Sequence, residues 1–107
     1  MPEAEQPKST IKEIEIDGYK FTVDTDMIDD VESLEFIERI ENKGQIAATL
    51  PLLKFILGDD EYRKMQAYFV SKDAEAHKDK PGYRPRMRVE KLNDVYLAII
   101  EKFDPKD

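Results

Sequence analysis

The chain has 107 residues, a formal net charge of −7, and 38% charged against 40% hydrophobic residues. This length accommodates one domain, since single cores commonly occupy ~100 to 200 residues. The absence of cysteine excludes disulfide frameworks, thiolate metal sites and cysteine nucleophiles. No apolar run approaches the ~20 residues of a membrane-spanning helix, and the acidic balance disfavours binding of nucleic acid over the whole surface. We therefore expect a small cytoplasmic protein that binds no membrane.

The negative charge is concentrated in the first half of the chain. Residues 1–45 contain 13 acidic and 5 basic residues, for a charge of −8, whereas residues 46–107 contain 11 acidic and 12 basic residues, for +1. Residues 1–10 hold two prolines and little to bury, so they are predicted to form a disordered leader. A single domain is predicted over residues 11–103, followed by a short tail at 104–107.

The domain is predicted to begin with a β-hairpin. Apolar and polar residues alternate from Ile14 to Val23 on both sides of Asp17-Gly18. Asp-Gly is favoured in two-residue hairpin turns, because both positions of such a turn require a positive φ, which these two residues tolerate. An isolated hairpin is marginally stable in water, so its apolar face must pack on other elements.

Four helices are predicted to follow, over residues 27–42, 50–57, 60–76 and 89–103. The first is expected to be capped by Asp24, Thr25 or Asp26, since short polar side chains accept from orphan amides. The fourth has the cleanest amphipathic pattern. Its predicted apolar face consists of Val89, Leu92, Val95, Tyr96, Ile99, Ile100 and Phe103.

The second and third helices are located by their flanking residues. Pro51 suits a first helical turn, with Thr49 as the expected cap and Gly58 as the terminator of the second helix. Asp59 is the expected cap of the third helix. The predicted fold is mainly α, of the α+β class, with an N-terminal β-hairpin packed on about four helices.

Residue types that support catalysis are sparse. His77 is the only histidine and lies in a polar stretch without a serine partner pattern. The four glycines are isolated, so no phosphate-binding loop is present. Carboxylates are abundant, but no pocket singles out a pair with shifted pKa values. We expect no catalytic residue, no metal site and no cofactor, and do not predict an enzyme.

A basic cluster precedes the last helix, with six of the 17 basic residues in 14 positions: Lys78, Lys80, Arg84, Arg86, Arg88 and Lys91. Two interpretations are open. Tyr83, within the cluster, would suit stacking on nucleic-acid bases. Because the first half of the chain is so acidic, we favour pairing of the three arginines with the first helix, in the same molecule or in a neighbouring one.

The first helix is apolar on two opposite sides. On a helical wheel Val31 and Leu34 lie on one side, Phe36 and Ile40 lie opposite, and Ile37 lies between them. If the first side packs on the domain, Phe36, Ile37 and Ile40 remain for a partner. Alternatively, Val31, Leu34, Ile37 and Ile40 form a drifting stripe that is covered within the monomer.

Four segments occur in a distinctive combination: the glycine-turn hairpin, the acidic first helix, Leu-Pro-Leu-Leu-Lys-Phe-Ile-Leu-Gly at 50–58 followed by Asp-Asp-Glu-Tyr, and Arg-Val-Glu-Lys-Leu at 88–92. Together they resemble the tail assembly chaperones of long-tailed bacteriophages. The resemblance extends from about Ile11 to Phe103. The loop from Lys78 to Arg88 is longer and more basic than the family pattern leads us to expect.

The resemblance implies a nonenzymatic role. Such chaperones bind the tape measure protein, a long helical polypeptide, keep it soluble in the host cytoplasm before the tail tube polymerises, and are absent from the mature virion. The candidate client contacts are then Phe36, Ile37 and Ile40. A long client needs many copies, so we hypothesise a homo-oligomer in which Arg84, Arg86 and Arg88 meet the next subunit's acidic helix. The alternative is a small acidic adaptor or regulatory module with a different protein client.

Overall fold

The computed structural model describes residues 10–103. Its elements are β1 (Ile11–Ile16), β2 (Tyr19–Asp24), a 3₁₀ turn (Thr25–Met27), α1 (Val31–Glu41), a second 3₁₀ turn (Ile46–Ala48), α2 (Thr49–Leu57), α3 (Asp59–Ala76) and α4 (Val89–Lys102). The predicted α+β fold, with an N-terminal hairpin and four helices, is confirmed. Most of the predicted leader and the whole tail lie outside the described residues.

The hairpin has the predicted turn and register. β1 and β2 are antiparallel, and Ile14 pairs with Phe21 across the strands. Asp17 and Gly18 connect them with φ angles of 51° and 89°, as a turn with two left-handed residues requires. Ile14, Phe21 and Val23 are buried, so this face of the hairpin packs on the helices.

The shortest helix lies at the centre of the core. Leu52 and Leu53 of α2 have no exposed surface, and α2 contacts β2 and the three other helices. A helix that is apolar on most sides is expected in such an enclosed position. The core consists of Ile14, Phe21, Val23, Ile28, Leu52, Leu53, Ile56, Tyr62, Met65, Phe69, Val95, Tyr96 and Ile99.

The start of the first helix differs from the prediction. Asp24 caps the 3₁₀ turn, where its Oδ1 accepts a 3.0 Å bond from the Asp26 amide. The chain then bends at the buried Ile28, and Asp30, in an extended conformation, accepts a 2.7 Å bond from the Glu32 amide. α1 therefore begins at Val31 and not at Met27, because two aspartates cap two successive elements.

The predicted caps of the next two helices are also wrong. Thr49 is the first residue of α2, preceded by Ala48 without a side-chain cap. Its buried hydroxyl has no hydrogen-bond partner among the described residues. Gly58, with φ 88°, ends α2 as predicted, but α3 begins at once, so Asp59 lies inside it. One glycine makes the whole connection, which leaves no residue free to act as a polar cap.

The apolar face of α4 forms as predicted, except at its first residue. Val95, Tyr96 and Ile99 are buried, and Leu92, Ile100 and Phe103 pack against the core. Val89 is 62% exposed, because it lies at the outer end of the helix. Within residues 10–103 no helix is long and apolar enough to cross a membrane.

Gly18→Ala should destabilise the fold more than alanine at another left-handed glycine. A Cβ on Gly18 would lie 2.8 Å from the Tyr68 hydroxyl oxygen, which donates a 2.8 Å bond to the Asp17 carbonyl. The control is Gly44→Ala, with φ 65° and open space around the added Cβ. It should cost about 1 kcal/mol for the backbone conformation alone, and Gly18→Ala about 1 kcal/mol more for the clash. Equal free energies of unfolding in urea would contradict this prediction.

Candidate interaction surfaces

The structure reverses the predicted orientation of α1. Phe36, Ile37 and Ile40 are partly buried against the core, whereas Val31 and Leu34 are 71% and 58% exposed. The expectation that Val31 and Leu34 pack on the domain is therefore wrong, and so is the alternative in which both are covered within the monomer. The side chains chosen as client contacts instead attach the helix to the core.

Two polar contacts help to set the rotation of α1. Near its start, the fully buried Ser33 donates from Oγ to the Met27 carbonyl at 2.8 Å. At its end, the Tyr96 hydroxyl on α4 donates to Oε2 of Glu41 at 2.7 Å. Burial, and secondarily the bond to Glu41, raises the pKa of Tyr96 above its usual value. With both ends held, the opposite side of α1 faces solvent.

This solvent-facing side combines apolar and acidic groups. Val31 and Leu34 have Glu35 and Glu38 as their i+4 neighbours, and all four residues are exposed. Together they form the acidic apolar surface. Glu38 lies 3.8 Å from the Lys43 ammonium, but both side chains are more than half exposed, so this pair contributes little. The surface therefore exposes two apolar side chains among carboxylates.

The segment from Lys78 to Arg88, which we call the basic loop, folds back onto the end of α3. It is held there by the carboxylate of Asp73. Oδ2 of Asp73 accepts bonds from the Tyr83 hydroxyl at 2.6 Å and from the Arg86 amide at 3.0 Å. The Tyr83 ring stacks on His77, with centroids 4.1 Å apart. The Arg86 guanidinium carbon lies 5.2 Å from the centroid of the same ring. The hydrogen bond from Tyr83 holds the pKa of Asp73 below its usual range.

These contacts alter the interpretation of two loop residues. His77, which the sequence places in a polar stretch, lies at the end of α3 and has its ring against Tyr83. Tyr83, the residue that favoured nucleic-acid stacking, is engaged by three side chains of its own molecule. A nucleobase would have to displace these contacts before it could stack there.

A cleft of about 170 Å³ opens where α3, the basic loop, the start of α4 and the hairpin turn meet. We call it the basic cleft. Four bases line it, Lys72, Arg86, Arg88 and Lys91, together with Asp17, Asp73, Phe69 and Ala76. Each acidic residue is engaged internally: Asp17 pairs with the Lys91 ammonium, and Asp73 holds the loop.

The remaining cations of the cleft form no ion pair with a carboxylate in the described part of the chain, although the charge of Arg88 helps to lower the pKa of Asp73. None of the ion pairs within residues 10–103 includes the cleft residues Lys72, Arg86 and Arg88, and none includes Arg84 of the same loop. Pairing of the arginines with α1 of the same molecule, one of the two options from the sequence, is therefore not observed. The cleft adjoins the hairpin turn, whereas α1 follows the open end of the hairpin.

The chain was compared with protein-family models, with curated proteins and with solved structures. No protein-family model matches the chain, and no match was found among curated proteins or among solved structures. Among residues 10–103, no three histidine, aspartate or glutamate side chains are grouped as metal ligands. The resemblance to tail assembly chaperones stays a prediction.

Sequence reasoning missed Lys72 and Asp73 as parts of the cleft. It also placed Val31 and Leu34 on the core-facing side of α1, whereas both face solvent. The i,i+4 spacing of Asp73 and His77 was a visible signal for a local pair. No signal showed that Tyr83 and Arg86 return to Asp73, because that contact depends on the path of the loop.

Alkaline pH should destabilise the protein through two tyrosines, the partly buried Tyr19 and the buried Tyr96. Burial, and then the bond to Glu61, raises the pKa of Tyr19 to about 12, and Tyr96 shifts in the same direction. A raised folded pKa gives stabilisation that is complete below the unfolded value, about 10, and is lost as pH rises through the folded value. The free energy of unfolding, measured with urea, should therefore fall above about pH 10.

Tyr96→Phe separates the contribution of this tyrosine from that of other groups. At pH 8 the variant should lose about 1 kcal/mol of stability, the usual net value of a hydrogen bond. Its stability should then decline less steeply at alkaline pH than that of the wild type. An unchanged decline would assign the effect to other residues.

Asp73→Ala should release the basic loop while leaving α3 intact, since alanine favours helix. Loss of the carboxylate removes the acceptor of the Arg86 amide, so hydrogen exchange at that amide should accelerate by about tenfold or more. The control is Asp79→Ala, which removes an exposed carboxylate from the same loop. Similar exchange at Arg86 in both variants would contradict the anchoring role of Asp73.

Proposed function

We propose that this protein is a tail assembly chaperone, which binds the tape measure protein in the host cytoplasm and keeps it soluble without catalysis. The observation that carries the proposal is the exposure of Val31 and Leu34, at 71% and 58%, among carboxylates on a helix whose rotation is held. Large apolar side chains with this much exposure on a well-packed helix suit contact with a partner.

The chemistry of this surface fits a helical client. Apolar residues three apart on a helix can pack into the grooves of another helix, at i and i+3 or i+4 positions of the partner. The surrounding carboxylates keep the free protein dissolved. They also favour clients with lysine or arginine beside their apolar residues, through charge complementarity.

The proposed contact differs from the one that the sequence favoured. Phe36, Ile37 and Ile40 are partly buried and hold α1 against the core. Phe36→Asp would therefore test folding more than binding. In the proposal these residues support the helix, and Val31 and Leu34 contact the client.

The test is co-expression with a tape measure protein encoded beside this gene. The variant with Val31→Asp and Leu34→Asp keeps a helical fold, since both positions are exposed, but loses the apolar contact. Soluble tape measure protein should fall by about tenfold or more, as expected when interface anchors are removed. Leu97→Asp is the matched control, because Leu97 on α4 is also about half exposed, at 52%, and should leave the client soluble.

Equal client solubility with the double variant and with Leu97→Asp would refute the proposed surface. Circular dichroism of each purified variant checks that the fold is intact. If tape measure proteins do not bind, but a different basic helical protein binds through Val31 and Leu34, the alternative role as an acidic adaptor is supported.

A further inference from the structure

We propose that the basic cleft of one copy receives the acidic apolar surface of a second copy, so that self-association masks the surface that binds the client. The masking of client binding rests on the proposed function, whereas the contact between copies rests on the two surfaces alone. The occupant of the cleft is thus a second copy of this chain.

The charges of the two surfaces are complementary. Residues 24–41, which surround the acidic apolar surface, contain eight acidic residues and one basic residue. In the cleft, Asp17 and Asp73 are already engaged. The Arg86 guanidinium donates to the Arg84 carbonyl at 3.1 Å, but neither it nor Lys72 or Arg88 forms an ion pair within residues 10–103. These three cations can therefore pair with carboxylates such as Glu35 and Glu38 of another copy.

Both surfaces also carry exposed apolar groups beside their charges. Val89 is 62% exposed and lines, with Arg86 and Arg88, a second depression that shares these two arginines with the cleft. It can contact Val31 and Leu34 of a second copy while the charged groups pair around it. A purely anionic ligand would leave these three side chains in water, so the combination favours a protein surface over a free anion or nucleic acid.

The cleft is organised before any partner binds. The Arg86 amide is bonded to Asp73 and its guanidinium lies over Tyr83, so less conformational entropy is lost when it pairs. One copy cannot fill its own cleft with the start of α1, since β2 separates them and its six residues span about 20 Å. The contact therefore joins different surfaces of two copies, and it either closes reciprocally as a two-fold dimer or extends into rings or chains.

Sedimentation velocity at about 50 mM and about 500 mM salt tests the contact. The wild type should form larger species at low salt, with an apparent dissociation constant that weakens by about tenfold or more at high salt as the charges are screened. Two reversal variants, Arg86→Glu with Arg88→Glu and Glu35→Lys with Glu38→Lys, should each be monomeric at low salt. An equimolar mixture of the two should associate, because each supplies a surface complementary to one on the other.

The matched control reverses two lysines of the same loop outside the cleft, Lys78→Glu with Lys80→Glu, and should associate like the wild type. A monomeric wild type at low salt, a control as monomeric as the cleft variant, or a mixture that stays monomeric would each overturn the proposal. So would a wild-type monomer that binds single-stranded DNA through Arg86 and Arg88.

Masking is tested separately with Val31→Asp plus Leu34→Asp. This variant should associate less than the wild type at low salt, whereas Leu97→Asp should not. If it associates like the wild type, the two contacts use different surfaces and masking is wrong. Because this readout needs no client, it remains valid even if no variant affects the tape measure protein. If client binding does depend on Val31 and Leu34, the cleft variant should solubilise the client at least as well as the wild type.

Discussion

The burial of one nine-residue helix organises the structure. Leu52 and Leu53 of α2 are fully enclosed, and the hairpin, α1, α3 and α4 all contact this helix. A core drawn from a chain with 38% charged residues has few apolar side chains to spare, so each surrounding element must turn its apolar side toward α2. The apolar residues left outside by this arrangement, Val31 and Leu34 above all, are the ones available to a partner.

The outer face of α1 depends on contacts distant in sequence. Phe36 and Ile40 are larger together than Val31 and Leu34, and burying them removes more apolar area from water. The buried Ser33 makes this rotation possible, because a small side chain fits under the helix and its hydroxyl finds the Met27 carbonyl. The bond from Tyr96 to Glu41 acts at the other end. Packing and hydrogen bonding therefore favour the same rotation of α1.

The features that the sequence predicted correctly are those encoded locally. The Asp17-Gly18 turn, the stop at Gly58 and the periodicity of α4 each depend on residues of one continuous segment of the chain. The start of α1 could not be predicted, because Asp24, Asp26 and Asp30 are all competent caps. Its orientation could not be read from the pattern either, since both sides of the helix are apolar and only packing chooses between them. The basic cleft joins residues from four elements, so the cluster of bases was visible but its shape was not.

The basic loop shows how internal hydrogen bonds can leave charge available for a partner. Asp73 could neutralise a guanidinium, yet its carboxylate accepts from a hydroxyl and a backbone amide. Arg86 and Arg88 consequently form no ion pair within the described residues, although the charge of Arg88 contributes to the lowered pKa of Asp73. The lining of the cleft carries four positive and two negative side chains, so its field is positive whichever donors the carboxylates accept from. No ion pair within the described residues joins Arg86 or Arg88 to α1, and in the proposed self-association these opposite charges meet between two molecules.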